Sequence, residues 1–154
     1  MLGASNKVRR PRWPSWIVIP IGITIREHVK PPEEDHVRIV FATRGSRGLE
    51  DEVDLLDLAR AHYFTIVDVD REKNPVYVRV VQNTLSNVPR AGLAVAYWLV
   101  RIGANIVIAS SYCKNTEYYL DQAGIIRLRV EPGRRVRDCL AQLDLATREE
   151  GDKA

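Results

Sequence analysis

The stretch from Ala104 to Ile125, ANIVIASSYCKNTEYYLDQAGI, constrains the fold more than any other part of the chain. Ile106, Val107, Ile108 and Ala109 form a short apolar run after Gly103. That is the pattern of a strand buried on both faces of a largely parallel sheet. Ser110 to Lys114 then turns, Asn115 or Thr116 can cap a helix, and Gly124 can close it as a left-handed cap residue. Ile125 opens the next apolar run. Strand, turn, helix and strand within about 30 residues make a βαβ unit, and its crossover has a nearly fixed hand. In such units the loop after a strand meets a helix N-terminus, which favours anions. Ser110, Ser111, Cys113 and Lys114 are therefore a candidate binding group, although the spacing alone fits an ordinary tight loop equally well.

The rest of the chain supplies partners for this unit. Ile17, Ile19, Ile21, Ile23 and Ile25 alternate without a break, which predicts a strand with one buried face. Pro20 cannot donate a ladder hydrogen bond, so that strand belongs at a sheet edge. Lys30 to Asp35, KPPEED, reads as an extended linker. Val37 to Thr43 is a second strand, and Arg44 to Gly48, RGSRG, is a turn. Glu50 to Asp57 is acidic, interrupted by leucines that predict a short helical turn. Tyr63 to Val69 and Val76 to Val81 form a hairpin. A polar loop, Asn83 to Pro89, leads into a helix reaching Ile102, with Leu93, Ala96, Tyr97 and Val100 on one face. Ile125 to Val130 is the last strand. Arg135 to Leu145 is the last helix, with Val136, Cys139, Leu140 and Leu143 on its inner face. This order predicts a layered α/β domain with a mixed sheet. The organisation is a basic arm with an added strand and linker (1–36), an α/β domain (37–146) and a charged tail (147–154).

Charge is unevenly spread. The chain of 154 residues carries a formal +3, yet residues 1–30 alone hold six bases and one acid. The high pI thus describes the arm, read as a mobile tail as far as Pro14, and argues against nucleic-acid binding by the domain itself. Trp13 and Trp16 are expected to pack on the domain or on a partner subunit. No run of about 18 apolar residues is present, so no membrane span is expected. The Arg9-Arg10 pair lacks the apolar region and cleavage site of an export signal. Two cysteines make no disulfide framework and fit a reduced, cytoplasmic setting.

Three ordered segments resemble a known family. They are Val37-Arg-Ile-Val-Phe-Ala-Thr, Gly48-Leu-Glu-Asp-Glu-Val53 and Arg60-Ala-His-Tyr-Phe-Thr-Ile-Val-Asp68. Ala91-Gly92, Gly103 to Ala109 and Gln122-Ala-Gly-Ile125 follow in the same order. Together they resemble the dinitrogenase iron-molybdenum cofactor biosynthesis family. The resemblance implies a three-layer ribonuclease-H-like fold with a five-stranded mixed sheet, to which the N-terminal stretch would add an edge strand. It also implies binding or carriage of an iron-sulfur or molybdenum-containing cluster rather than catalysis. The family's His-Phe-Gly is here Asp57-Leu58-Ala59, and its Ala-Gly-x-x-Gly loop is here Ala109-Ser110-Ser111-Tyr112-Cys113.

With the hairpin antiparallel, the loops at 43–48, 83–90, 110–115 and 131–135 share one end of the sheet. They would bring Arg44, Arg47, Arg60, Arg90 and Lys114 together, with Arg134 at the margin, beside two helix N-termini. The matching ligand is a metallocluster or another small anion; the plain alternative is a set of solvated arginines. Cys113 precedes a helix and adjoins Lys114, conditions that lower a thiol pKa. A reactive thiolate or single metal ligand and an unremarkable loop residue both fit. His28, His36 and His62 lack zinc-ligand spacing and are expected on the surface or in packing. Val37 to Thr43 has no carboxylate, which removes the metal-holding group a nuclease needs there. A different role, homo-oligomer or partner assembly through the edge strand and basic arm, fits the same arm.

Overall fold

The computed structural model describes residues 8–18 and 22–143. Five strands form one sheet: β1 (Val37–Thr43), β2 (Tyr63–Val69), β3 (Pro75–Gln82), β4 (Ile106–Ala109) and β5 (Ile126–Arg129). Their order is β3-β2-β1-β4-β5. The β1–β2 and β2–β3 pairs are antiparallel, whereas β4 runs parallel to β1 and to β5. Helices α1 (Ala91–Arg101) and α2 (Lys114–Ala123) cover one face, and α3 (Val136–Gln142) covers the other. Side-chain alternation divides the core accordingly. Val40, Ala42, Phe64, Ile66 and Val107 face α1 and α2, while Ile39, Phe41, Val67, Ile106 and Ile108 face α3. β4 is buried along its whole length because it lies inside the sheet with helices on both sides.

Gly124 ends α2 at φ 81° and lets the N–H of Ile125 reach Leu120 O at 3.0 Å. The start of α2 departs from expectation. Cys113, not Asn115 or Thr116, is the N-cap residue, and it makes no side-chain cap bond. Thr116 is instead turned inward against α1, where a Cβ on Gly92 would overlap Thr116 Oγ1 and stand 3.4 Å from Thr116 Cβ. α1 is also buried more widely than its predicted stripe. Ala94, Val95, Trp98 and Leu99 are all buried, since the sheet lies on one side and the N-terminal chain on the other. Trp98 stacks on Phe64 with ring centroids 5.1 Å apart.

The expected edge strand over Ile17–Ile25 is not formed by the described residues of that stretch; residues 19–21 lie outside them. Ile17 and Ile25 are buried nonetheless. The Ile17 N–H donates to Pro14 O at 3.2 Å, and Ile17 O accepts from Trp13 Nε1 at 3.2 Å. Both backbone groups are thus spent locally, so no ladder can use them. The tail is also not loose over residues 8–14. Arg12 N donates to Ala123 O at 3.0 Å, and Trp13 meets Tyr97 edge-on at 5.2 Å. Trp16 packs edge-on against Tyr118 at 6.2 Å. The expected tail at 147–154 and the last residues of the expected final helix lie outside the described residues.

A buried arginine joins these parts. Arg38 donates from Nε and Nη2 to the two oxygens of Asp68 at 2.7 and 2.8 Å. It also donates to Ile102 O and Lys30 O, each at 2.6 Å.

The contact between Gly92 and Thr116 gives a direct test of the helix packing. Gly→Ala inside a helix ordinarily stabilises by about 1 kcal/mol, but here Gly92→Ala should lose about 1–3 kcal/mol through overpacking. Urea unfolding measures this, and the loss should shrink in a Thr116→Ala background. A stabilised G92A protein would contradict the packing.

Candidate functional site

The C-terminal ends of β1, β3 and β4 and the start of β2 meet at one end of the sheet, as the antiparallel hairpin requires. Residues 51–62 fold over this end. Asp54 N donates to Ala42 O at 2.9 Å, Leu58 N to Ser111 O at 3.1 Å, and Ser110 Oγ to Asp54 O at 2.8 Å. Loop 83–90 is tied to the same segment by Asn83. Its Nδ2 donates to Ala59 O and Ala61 O at 2.9 and 2.8 Å, and its Oδ1 accepts from Leu85 N at 2.9 Å. Between the two segments lies a cleft of about 670 Å³, whose polar walls include Arg60, His62, Asn83, Asn87 and Ser111. Leu55 and Leu56 are exposed on its rim.

Two side chains give the cleft its character. Arg60 stands on the short 3₁₀ turn Leu58–Arg60, capped by Asp57, whose Oδ1 accepts from Arg60 N at 3.1 Å. Its guanidinium is exposed and makes no ion pair with a carboxylate among the described residues. His62 is the residue that sequence reasoning missed. Its Nδ1 lies 2.7 Å from Oδ2 of Asp54, and that oxygen also accepts from His62 N at 2.9 Å. Asp54 Oδ1 accepts from Leu56 N at 3.2 Å, and the carboxylate is only 3% exposed while the imidazole is 60% exposed. A buried carboxylate thus sets the ring's orientation and leaves Nε2 open. The sequence signal is Asp54 and His62 flanking a single turn, which no ligand-spacing rule covers.

The expected cluster divides. Only Arg60 and Ser111 of the predicted residues line the cleft. Arg44 and Arg47 sit in a separate depression with Asp51 and Glu52, at 3.3 Å from Glu52 and 3.5 Å from Asp51 respectively. Burial raises the Asp51 pKa, but the N–H groups of Arg47 and Glu52 and the Arg47 charge outweigh it, and the carboxyl titrates below its ordinary range. Those two arginines serve this loop. Ser110 is spent on the backbone of Asp54. Arg90 is an exposed helix cap at φ 57°, and Lys114 is exposed at the start of α2; neither lines the cleft.

Cys113 corrects the expectation of a lowered thiol pKa. Its Sγ donates to Asp57 Oδ2 at 2.7 Å, which stabilises the neutral thiol and pushes its pKa up, with desolvation adding to the effect. Cys139 is buried and its thiol is raised as well, by burial first. The adjoining Tyr112 hydroxyl, its pKa also held up by burial, donates to Leu128 O at 2.5 Å and pins the turn to β5.

Among the described residues, no group of three or more His, Cys, Asp and Glu side chains could hold a metal ion. The cleft offers hydrogen-bond donors, the Arg60 guanidinium, one open imidazole nitrogen and the Asp57 carboxylate. Nor, among the described residues, is any helix long and apolar enough to cross a membrane.

These features define a small three-layer α/β protein with a polar cleft at one end of its mixed sheet. Residues 37–145 match the family described as dinitrogenase iron-molybdenum cofactor, and the chain belongs to that family. The fold is similar to the apo form of the orange protein from Desulfovibrio gigas, at 25% identity and a TM-score of 0.59, covering 68% of this chain and 84% of that one. It is also similar to a NifB-like protein from Thermotoga assigned to the DUF35 family, at 30% identity and a TM-score of 0.56, with coverages of 68% and 84%. No match was found among curated proteins.

In the native protein Cys113 is the exposed cysteine. Iodoacetamide should alkylate it more slowly than a free model thiol at pH 7, because the raised pKa leaves less thiolate. Asp57→Asn removes both the acceptor charge and the strong hydrogen bond, so labelling should quicken several-fold. Fast labelling of the parent protein would contradict this geometry.

Proposed function

We propose that the protein is a non-enzymatic carrier that holds an anionic metallocluster, iron-sulfur or molybdenum-containing, in the cleft at the C-terminal end of the sheet. The observation that supports this most is the pairing of an ion-pair-free Arg60 with an Asp54-oriented His62 in one cleft wall. Arg60 would donate to the sulfido or oxo groups of the cargo. His62 would offer Nε2 as a hydrogen-bond donor or as a lone ligand. Asn87 and Ser111 supply further polar contacts. The absence of a three-ligand group among the described residues suits cargo that is released again, since a cluster fully ligated by the protein leaves slowly. Family membership supports the choice of cargo. A cytoplasmic location belongs to the same reading.

Anaerobic reconstitution with iron, sulfide and molybdate, followed by desalting and metal analysis, tests the proposal. The parent protein should retain metal stoichiometrically. Arg60→Ala and His62→Ala should each weaken retention by about tenfold or more, as expected for losing one charged or directional contact. Arg44→Ala should leave retention unchanged. A metal-free parent protein, or equal losses at Arg44 and Arg60, would overturn it.

A further inference from the structure

At the opposite end of the sheet lies a second cavity, of about 780 Å³. It is built jointly by the N-terminal chain and by the end of α1 with the turn that follows, and eleven of its sixteen lining residues come from outside residues 37–145. Its apolar surface is supplied by Ile25, Val29, Trp98 and Ile102, among which Ile25 and Trp98 are buried.

Three arginines of this wall lack a carboxylate partner among the described residues. Arg10 is half-buried and donates only to neutral oxygens: Asn105 Oδ1 at 2.5 Å, His36 O at 2.8 Å, Gly103 O at 3.5 Å and Glu33 O. Among the described residues Arg101 contacts the Tyr97 ring, at 5.9 Å from its centroid, and Arg26 pairs with no carboxylate. Elsewhere Arg44, Arg47, Arg71, Arg79, Arg127, Arg129, Arg135 and Arg137 have carboxylates within reach, whereas Arg9, Arg12, Arg60, Arg90 and Arg134 pair with none among the described residues. Two acids stand in the cavity wall: Glu27 is held by Arg79 at 2.8 Å, and Glu34 is likewise not free. Behind the wall, Arg38 is neutralised by Asp68. The Arg10 pKa is lowered, first by burial and then by the neighbouring Arg38 charge. An anion placed here would relieve both effects.

We propose that this cavity is a second binding site, separate from the cleft, for a small organic phosphate: a phosphate monoester with a compact apolar body. Arg26 and Arg101 are the two guanidinium groups of this wall with donors open to an anion, and with the Arg10 charge behind them they match a doubly charged, multi-oxygen head group. The Trp98 and Ile102 surface would take the apolar body. The volume lies in the range of small-molecule sites.

Isothermal titration of the full-length protein with phenyl phosphate and with inorganic phosphate tests the site. Phenyl phosphate should bind saturably at one per chain, about tenfold tighter than inorganic phosphate because of the buried ring. Arg26→Gln and Arg101→Gln should each weaken it by about tenfold. These two side chains hold no part of the arm, so a folding defect does not confuse the result, whereas Arg10→Gln also cuts the latch. Arg60→Gln should leave binding unchanged. No saturable binding, equal affinity for inorganic phosphate, or a loss caused by Arg60→Gln instead of the cavity variants would overturn the proposal.

Discussion

The Arg38–Asp68 pair is the constraint on which the arrangement of the molecule turns. Both side chains are withdrawn from water, and each oxygen of the carboxylate faces a guanidinium nitrogen. Two backbone carbonyls, Ile102 O after α1 and Lys30 O in the linker, take two of the three remaining N–H donors. One arginine therefore ties β1 to β2, to the end of α1 and to the chain before the domain. A buried pair of this kind adds little net stability over an apolar replacement, but removing one partner strands a charge at about 3–5 kcal/mol. Its contribution here is geometric, because it joins facing residues of β1 and β2 and also holds the linker at Lys30 O.

From that register the two ends of the sheet acquire opposite roles. At the end distant from Arg38, strand termini are closed by residues 51–62 and by Asn83. The cleft there is lined by donors and by the Asp57 carboxylate, which accepts from Cys113 Sγ and Arg60 N and makes no ion pair with Arg60. The arginines that looked interchangeable in the loops are not. Arg44 and Arg47 answer Glu52 and Asp51 in their own turn, so the charge available to a ligand is smaller and more localised than a count of basic residues implies. At the other end, the N-terminal chain is held by Asn105, whose amide accepts from Arg38 N and Arg10 and donates to Arg9 O. The arm thereby becomes a wall of the domain.

Much of the architecture was legible before any coordinates. Burial on both faces of Ile106–Ala109, the Gly124 cap and the antiparallel hairpin follow from periodicity and turn chemistry, which act over a few residues. Of the loop residues that the sequence singled out, only Arg60 and Ser111 line the cleft. Asp54–His62 was not, because a buried carboxylate eight positions from its histidine matches no local repeat. The raised thiol pKa of Cys113 was not legible either, because its thiol answers to Asp57, a residue from another loop, more than to the helix it precedes.

The sequence by itself determined the order of strands and helices, the faces that must be buried and the concentration of positive charge near the N-terminus. Those properties arise from neighbouring residues and survive any choice of packing. The tertiary structure decided which charges are spent on partners, which remain open to a ligand, and that the isoleucine-rich segment contributes buried side chains while Ile17 gives its backbone bonds to its own turn. Such outcomes depend on groups far apart in the chain reaching one another within hydrogen-bond distance, and only the folded chain specifies that.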